Sequence, residues 1–82
     1  MYYTYILYSE TLKKFYTGQT ESLERRLLEH NLGKTAFMKT GIPWIMVFSK
    51  SFQSRGDAMN LEKKIKKRGA QRFLKEIGID FE

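Results

Sequence analysis

Residues 2–8, Tyr-Tyr-Thr-Tyr-Ile-Leu-Tyr, form an unbroken aromatic and β-branched run. Side chains of this kind suit a pleated, packed surface, so the run predicts a strand. Polar Ser9-Glu10-Thr11 and Lys13-Lys14 interrupt it. Phe15-Tyr16-Thr17 resumes extended character, and Gly18 is expected to end it as a turn glycine free to take a positive φ. The two runs read as a β-hairpin with a loop longer than the tight two-residue kind.

Helical spacing follows. Ser22 precedes Leu23 to His30 and can accept hydrogen bonds as an N-cap. Leu23, Leu27 and His30 recur at i, i+4 and i+7, which places them on one face, and Gly33 reads as the stop. Residues 34–43 suit a short helical turn and then a loop. Trp44 to Phe48 is a second apolar run and predicts the third strand. Because both of its faces are apolar, it reads as a central strand covered twice. Ser54-Arg55-Gly56-Asp57 resembles a capping box with Asp57 in the acidic position. The helix it opens carries Ala58, Leu61 and Ile65 at i, i+3 and i+7, and Gly69 ends or bends it. Ala70 to Ile77 predicts a final short helix with Phe73 and Ile77 as an i, i+4 pair. The order is β-β-α-(α)-β-α-α. It describes an α/β chain of the α+β type: a small three-stranded antiparallel sheet flanked by helices.

The chain has 82 residues, enough for one small domain over residues 1–82 with a thin core. Five tyrosines, six phenylalanines and one tryptophan supply large side chains for that core. There are no cysteines, which excludes disulfides and thiolate metal sites. No apolar run approaches the roughly 18 residues of a membrane span, and no signal peptide is evident. The expectation is a cytoplasmic protein, monomeric and with no membrane partner.

Charge changes the picture. A net charge of +6 exceeds what solubility requires and favours an anionic partner, nucleic acid before an acidic membrane. The excess is concentrated: residues 63 to 75 hold seven Lys or Arg and no acid. Lys63, Lys66 and Lys67 share one side of a helix, with Arg68 and Arg72 beyond. Such a run reads either as a solvated face or as a surface that tracks phosphates and loses affinity as salt rises.

Against that background a few residues carry candidate chemistry. Glu62 lies beside the buried stripe of its helix and immediately before five cations in six residues. Its plain reading is an i, i+4 ion pair with Lys66; its functional reading is a metal-binding carboxylate. Arg26 and His30, at i and i+4, share a helix face. Arginine offers a planar fork for phosphate oxygens, and a neutral histidine accepts a proton near pH 7. Tyr5 and Tyr16 carry phenols that are poor bases unless cations or a metal-bound water lower the barrier. Tyr2, Tyr3 and Tyr8 are expected to be structural.

In order and spacing these residues resemble the GIY-YIG nuclease superfamily, and within it the small stand-alone predicted endonucleases with a URI domain. Tyr3-Thr4-Tyr5 occupies the first motif and Tyr16-Thr17-Gly18 the second. Leu23 to Asn31 resembles the family's Arg-bearing helix, and Ala58 to Lys66 its Glu-bearing helix. The resemblance covers nearly the whole chain. It implies hydrolysis of DNA phosphodiesters with one divalent ion, Mg²⁺ or Mn²⁺, and no small-molecule cofactor. It further implies that Glu62 binds the metal and Arg26 steadies the scissile phosphate. Tyr16 would act as general base or base-orienter, Tyr5 as its hydrogen-bonding companion, and His30 near the reacting water.

The chain departs from the family pattern at several positions. Tyr3 replaces the glycine of the first motif, and Thr4 and Thr17 replace aliphatics. Gln19 stands where some members carry lysine, and no asparagine follows the Glu-bearing helix. The expected substrate is duplex, branched or single-stranded DNA cut with little sequence preference, in repair or processing. Lys63, Lys66, Lys67, Arg68 and Arg72 would grip the backbone. The alternatives are a non-catalytic nucleic-acid-binding module that keeps the fold, and a protein-interaction domain whose basic helix meets an acidic partner.

Overall fold

The computed structural model describes residues 1–80. Its elements are β1 (Tyr2–Ser9), β2 (Lys14–Thr20), α1 (Leu23–Asn31), α2 (Ala36–Thr40), β3 (Trp44–Phe52), α3 (Arg55–Arg68) and α4 (Ala70–Glu76). They follow the expected order, and the three strands form one antiparallel sheet in the order β2-β1-β3.

β1 is therefore the central strand, and it is buried without interruption from Thr4 to Ser9. Period-two alternation sends its side chains to both faces. Tyr5 and Leu7 join Trp44 in one cluster, with Leu23 and Leu27 of α1 against it. Ile6 joins Ile65 and Leu74 in the other, under α3 and α4. Helices thus cover both faces. The β1–β2 register pairs Ser9 with Lys14, leaving Glu10 to Lys13 as the loop. Ser9 Oγ accepts from the Leu12 amide at 3.0 Å, and Lys13 takes a positive φ of 56°.

Four sequence expectations need correction. First, Gly18 does not end β2, which continues to Thr20. Gly18 pairs with Tyr5 inside the ladder and is not among the positive-φ residues.

Second, β3 is an edge strand and runs on to Phe52. Its apolar run comes from a register shift between Ile6 and Leu7, which pair with Phe48 and Met46 and leave Val47 as the extra residue. A bulge of this kind resets the alternation. Met46 faces the Tyr5 cluster, while Val47 and Phe48 both pack against Ile6. Ile45 stays exposed.

Third, α4 ends at Glu76 and buries Leu74 rather than Ile77. Ile77 is exposed, and Ile79 folds back instead, its amide donating to the Leu74 carbonyl at 2.8 Å. Fourth, Thr4 is a fully buried anchor, not merely an aliphatic replaced: its hydroxyl donates to the Ala58 carbonyl at 2.6 Å and ties β1 to α3.

The capping expectations hold. Ser22 accepts from the Arg25 amide and Ser54 from the Asp57 amide. Gly33 and Gly69, at φ of 68° and 93°, follow α1 and α3 in the left-handed range that favours glycine.

Candidate active site

β2 forms one outer edge of the sheet, and the candidate residues gather around it from three elements. Tyr16 is paired with Leu7 and shares its face, toward α1. Tyr5 lies beside it on β1, with ring centroids 6.3 Å apart. Both rings close over Gly18. A Cβ at that position would stand 2.6 Å from Tyr5 Oη, 2.9 Å from Tyr5 Cζ and 3.2 Å from Tyr16 Cε2. The glycine of the second motif is therefore required by close approach, not by backbone conformation.

The electrostatic environment of Tyr5 is set by burial and by charges from two helices. Burial raises its pKa well above the ordinary phenol value, and Tyr16 adds to the rise. The Arg26 guanidinium opposes it, while the Glu62 and Glu29 carboxylates reinforce it. Arg26 from α1 and Glu62 from α3 therefore both act on the Tyr5 phenol, although their helices cover opposite faces of the sheet. Tyr5 therefore remains a phenol at neutral pH.

His30 is wholly buried, at 0% exposure. Its ring lies edge-on to Tyr16 at 4.6 Å and to Trp44 at 5.6 Å. Nδ1 sits 3.0 Å from the Arg26 carbonyl. A carbonyl only accepts, so Nδ1 carries the proton and Nε2 presents its lone pair. Nε2 has no hydrogen-bond partner among the described residues, nor has the buried Nε–H of Arg26. Desolvation holds the His30 pKa below its usual value, so the ring is neutral near pH 7.

Arg26 is half-buried, and its Nη1 lies 3.6 Å from Glu29 Oε1. Glu29 also accepts from Lys34 at 3.3 Å, the leading reason its carboxyl sits below the usual range. The sequence reading passed over Glu29, although its i, i+3 spacing from Arg26 was the available signal.

Asn31 and Trp44 carry no site role in the sequence reading, yet they hold the site's rear wall together. Asn31 Oδ1 accepts from the Trp44 amide at 2.7 Å, and its Nδ2 donates to the Trp44 carbonyl at 3.1 Å. Trp44 Nε1 donates to the Met38 carbonyl at 2.8 Å. Together these bonds clamp α1, α2 and β3 behind His30.

Glu62 is half-buried on α3 beside Leu61, and its Oε2 accepts from Lys66 Nζ at 2.7 Å. The plain i, i+4 ion pair is thus present. Among the described residues no group of three or more His, Cys, Asp or Glu is placed to hold a metal. His30 is committed to a carbonyl and buried. The donor set is then one hard carboxylate, which fits a divalent cation that keeps most of its waters and does not fit an all-protein cage.

The cations divide into two groups. Lys66 is tied to Glu62, and Arg68 forms a bidentate pair with Glu76. Lys63, Lys67 and Arg72 have no salt bridge among the described residues. No described helix is long and apolar enough to cross a membrane.

Tyr5, Tyr16 and His30 thus cluster on the α1 face of the sheet beside Arg26, with Glu62 on α3. The family model of the GIY-YIG catalytic domain matches residues 1–75, and the chain belongs to that family of nucleases. Its relatives are small proteins. It is 38% identical over 77 residues to a UPF0213 protein of Staphylococcus haemolyticus, covering 93% of each chain. It is 32% identical over 85 residues to a UPF0213 protein of Limosilactobacillus reuteri, covering 96% of this chain and 88% of the relative. The UPF0213 protein YsiG of Lactococcus lactis is 44% identical over 62 residues, which is 74% of this chain and 59% of the relative. No solved structure matches the chain significantly.

Proposed function

We propose that residues 1–82 form a single nuclease domain that hydrolyses DNA phosphodiesters with one divalent metal ion and little sequence preference. The family match over residues 1–75 supports this reading, and the cluster of Tyr5, Tyr16 and His30 beside Arg26 carries it.

A scissile phosphate at that edge meets the Arg26 guanidinium, whose fork stabilises charge developing on the non-bridging oxygens. Tyr5, locked as a phenol, donates a hydrogen bond and orients Tyr16. Tyr16 would take the proton of the attacking water while passing its own phenolic proton to solvent, as the new P–O bond forms and the bond to the leaving oxygen breaks. His30 backs the Tyr16 ring edge-on as a neutral, buried imidazole. Glu62 holds the metal, Mg²⁺ or Mn²⁺, which when bound polarises the phosphoryl group and stabilises the leaving oxygen. Lys66 must give up Glu62 for this, and the arriving phosphate offers it a replacement anion. Lys63, Lys67 and Arg72 hold the flanking backbone. Such chemistry suits DNA repair or processing in the cytoplasm.

One observation favours the second reading, a non-catalytic nucleic-acid-binding module: Glu62 and Arg26 both rest in ion pairs with their own helical neighbours. Nicking of supercoiled plasmid in Mg²⁺, Mn²⁺ or EDTA decides between them. Metal-dependent nicking, lost in folded Glu62→Gln and Arg26→Ala, supports the nuclease. Intact DNA with salt-sensitive binding supports the module.

A further inference from the structure

Beyond Tyr16 the β2 edge borders a groove. With a volume of about 490 Å³, it runs between this edge and the corner where α3 gives way to α4. Its walls include Phe15, Tyr16, Lys66, Ala70, Gln71 and Arg72. Gly69, at φ 93°, makes the corner, and a Cβ there would meet nothing within 4 Å. The glycine therefore serves the bend alone. On the far side of Arg72 lies a second hollow of about 390 Å³, walled by Lys64, Lys67, Arg68 and Arg72. The groove shares Tyr16 and Lys66 with the candidate active site, and it shares Arg72 with the cationic hollow. The groove thus adjoins both.

The chemistry changes from one to the next in the way a nucleic-acid strand does. Phosphate-reactive groups come first, at Arg26 and Glu62. Next comes a stretch with aromatic and small apolar walls, at Phe15 and Ala70, with Tyr16 at its margin. Cations follow again. The groove volume falls within the roughly 300–1,000 Å³ of small-ligand clefts. It is concave, so a rigid duplex cannot enter it. Bases in a duplex also have their faces covered by stacking, whereas an unpaired base offers a face to an aromatic wall.

We propose that this groove receives an unpaired nucleotide of the DNA strand flanking the scissile phosphate, with the next phosphate in the Lys64–Lys67–Arg72 hollow. The preferred substrate is then a single strand or a flap rather than continuous duplex. The inference rests on reading the Tyr16–Glu62 edge as the cutting site.

Fluorescence anisotropy in EDTA tests it, with a short single-stranded oligonucleotide and the blunt duplex of the same sequence. The expected result is single-strand binding about tenfold tighter than duplex binding, the scale of one stacked base. Gln71→Trp, which fills the groove from an exposed position, and Arg72→Glu should both remove that preference. Lys50→Glu, on β3 at the opposite edge of the sheet, should not.

Photo-crosslinking of the unmodified protein to an iodouracil-bearing single strand gives a readout that needs no variant. Adducts on Phe15 or Tyr16 are expected. Equal or tighter duplex binding, loss of both ligands alike in Gln71→Trp, or adducts confined to other segments would each overturn the proposal. Single-strand binding through the groove without cleavage in Mg²⁺ would keep the groove and remove the nuclease reading. Nicking of plasmid by a protein that ignores single strands would do the reverse.

Discussion

Tyr5 and Gly18 face each other across β1 and β2, and the tyrosine ring occupies the space a side chain at position 18 would need. The ring is 1% exposed and has no other place to go within the Leu7–Trp44 cluster. Gly18→Ala should therefore destabilise the fold by about 1–3 kcal/mol, the usual cost of overpacking. Urea unfolding measures it. The same substitution in a Tyr5→Leu background should cost clearly less, because the clashing ring is gone. Equal costs in both backgrounds would show that the ring is not the obstacle.

The single histidine of the chain makes a pH test clean. Desolvation, aided by the Arg26 charge, lowers the His30 pKa in the folded state; the hydrogen bond to the Arg26 carbonyl and the Glu29 charge oppose it. In the unfolded chain the ring titrates near 6.5. Below that pH the unfolded state binds a proton that the folded state refuses, so stability falls as pH drops. The carboxyls of Glu10, Glu29 and Glu76 are also lowered, from 4.5, and their contribution is lost only in more acid solution. Thermal unfolding between pH 7 and 5 should thus show a decline that is absent in His30→Phe. A flat wild-type profile would count against a buried neutral imidazole.

Asn31 closes a reciprocal pair of hydrogen bonds with the backbone of Trp44. Asn31→Ala leaves a buried amide and carbonyl short of partners, at about 1–3 kcal/mol each. Asn31→Asp keeps the acceptor and loses the donor, so it should fall between alanine and wild type. The fluorescence of Trp44, the chain's one tryptophan, follows unfolding directly. A ranking with aspartate no better than alanine would reject the pairing.

Lys66 holds Glu62, the proposed metal ligand, in an ion pair at 2.7 Å. Lys66→Met should lower the Mn²⁺ concentration giving half-maximal nicking, while reducing affinity for DNA at fixed metal. If the metal dependence moves the other way, Lys66 assists the ion rather than competing with it.

Much of the fold is local and was readable as such. Caps at Ser22 and Ser54, stops at Gly33 and Gly69, and the 3.6-residue stripes of α1 and α3 depend on neighbours a few residues away. The strand order was misjudged because Trp44 to Phe48 lacks alternation. A bulge at Val47 produces the same apolar run as burial on both faces, and only pairing with β1 distinguishes them. Leu74 and Ile77 were exchanged for a related reason: helical spacing names a face but not its exact centre, which Ile65 and Ile79 decide by packing.

For the site, sequence determined the inventory: two tyrosines, an arginine, a histidine, a glutamate and a basic run in family order. Tertiary structure decided their states. It keeps Tyr5 a phenol by burying it, and makes His30 neutral and inward-facing by enclosing it between Tyr16 and Trp44. It also ties Glu62 to Lys66 and Arg68 to Glu76, and turns Gly18 from an apparent turn residue into the space for a ring. Protonation, pairing and close approach arise from groups distant in the chain, and spacing along the sequence carries no information about desolvation. Composition and order therefore name the chemistry, while burial assigns each residue its part in it.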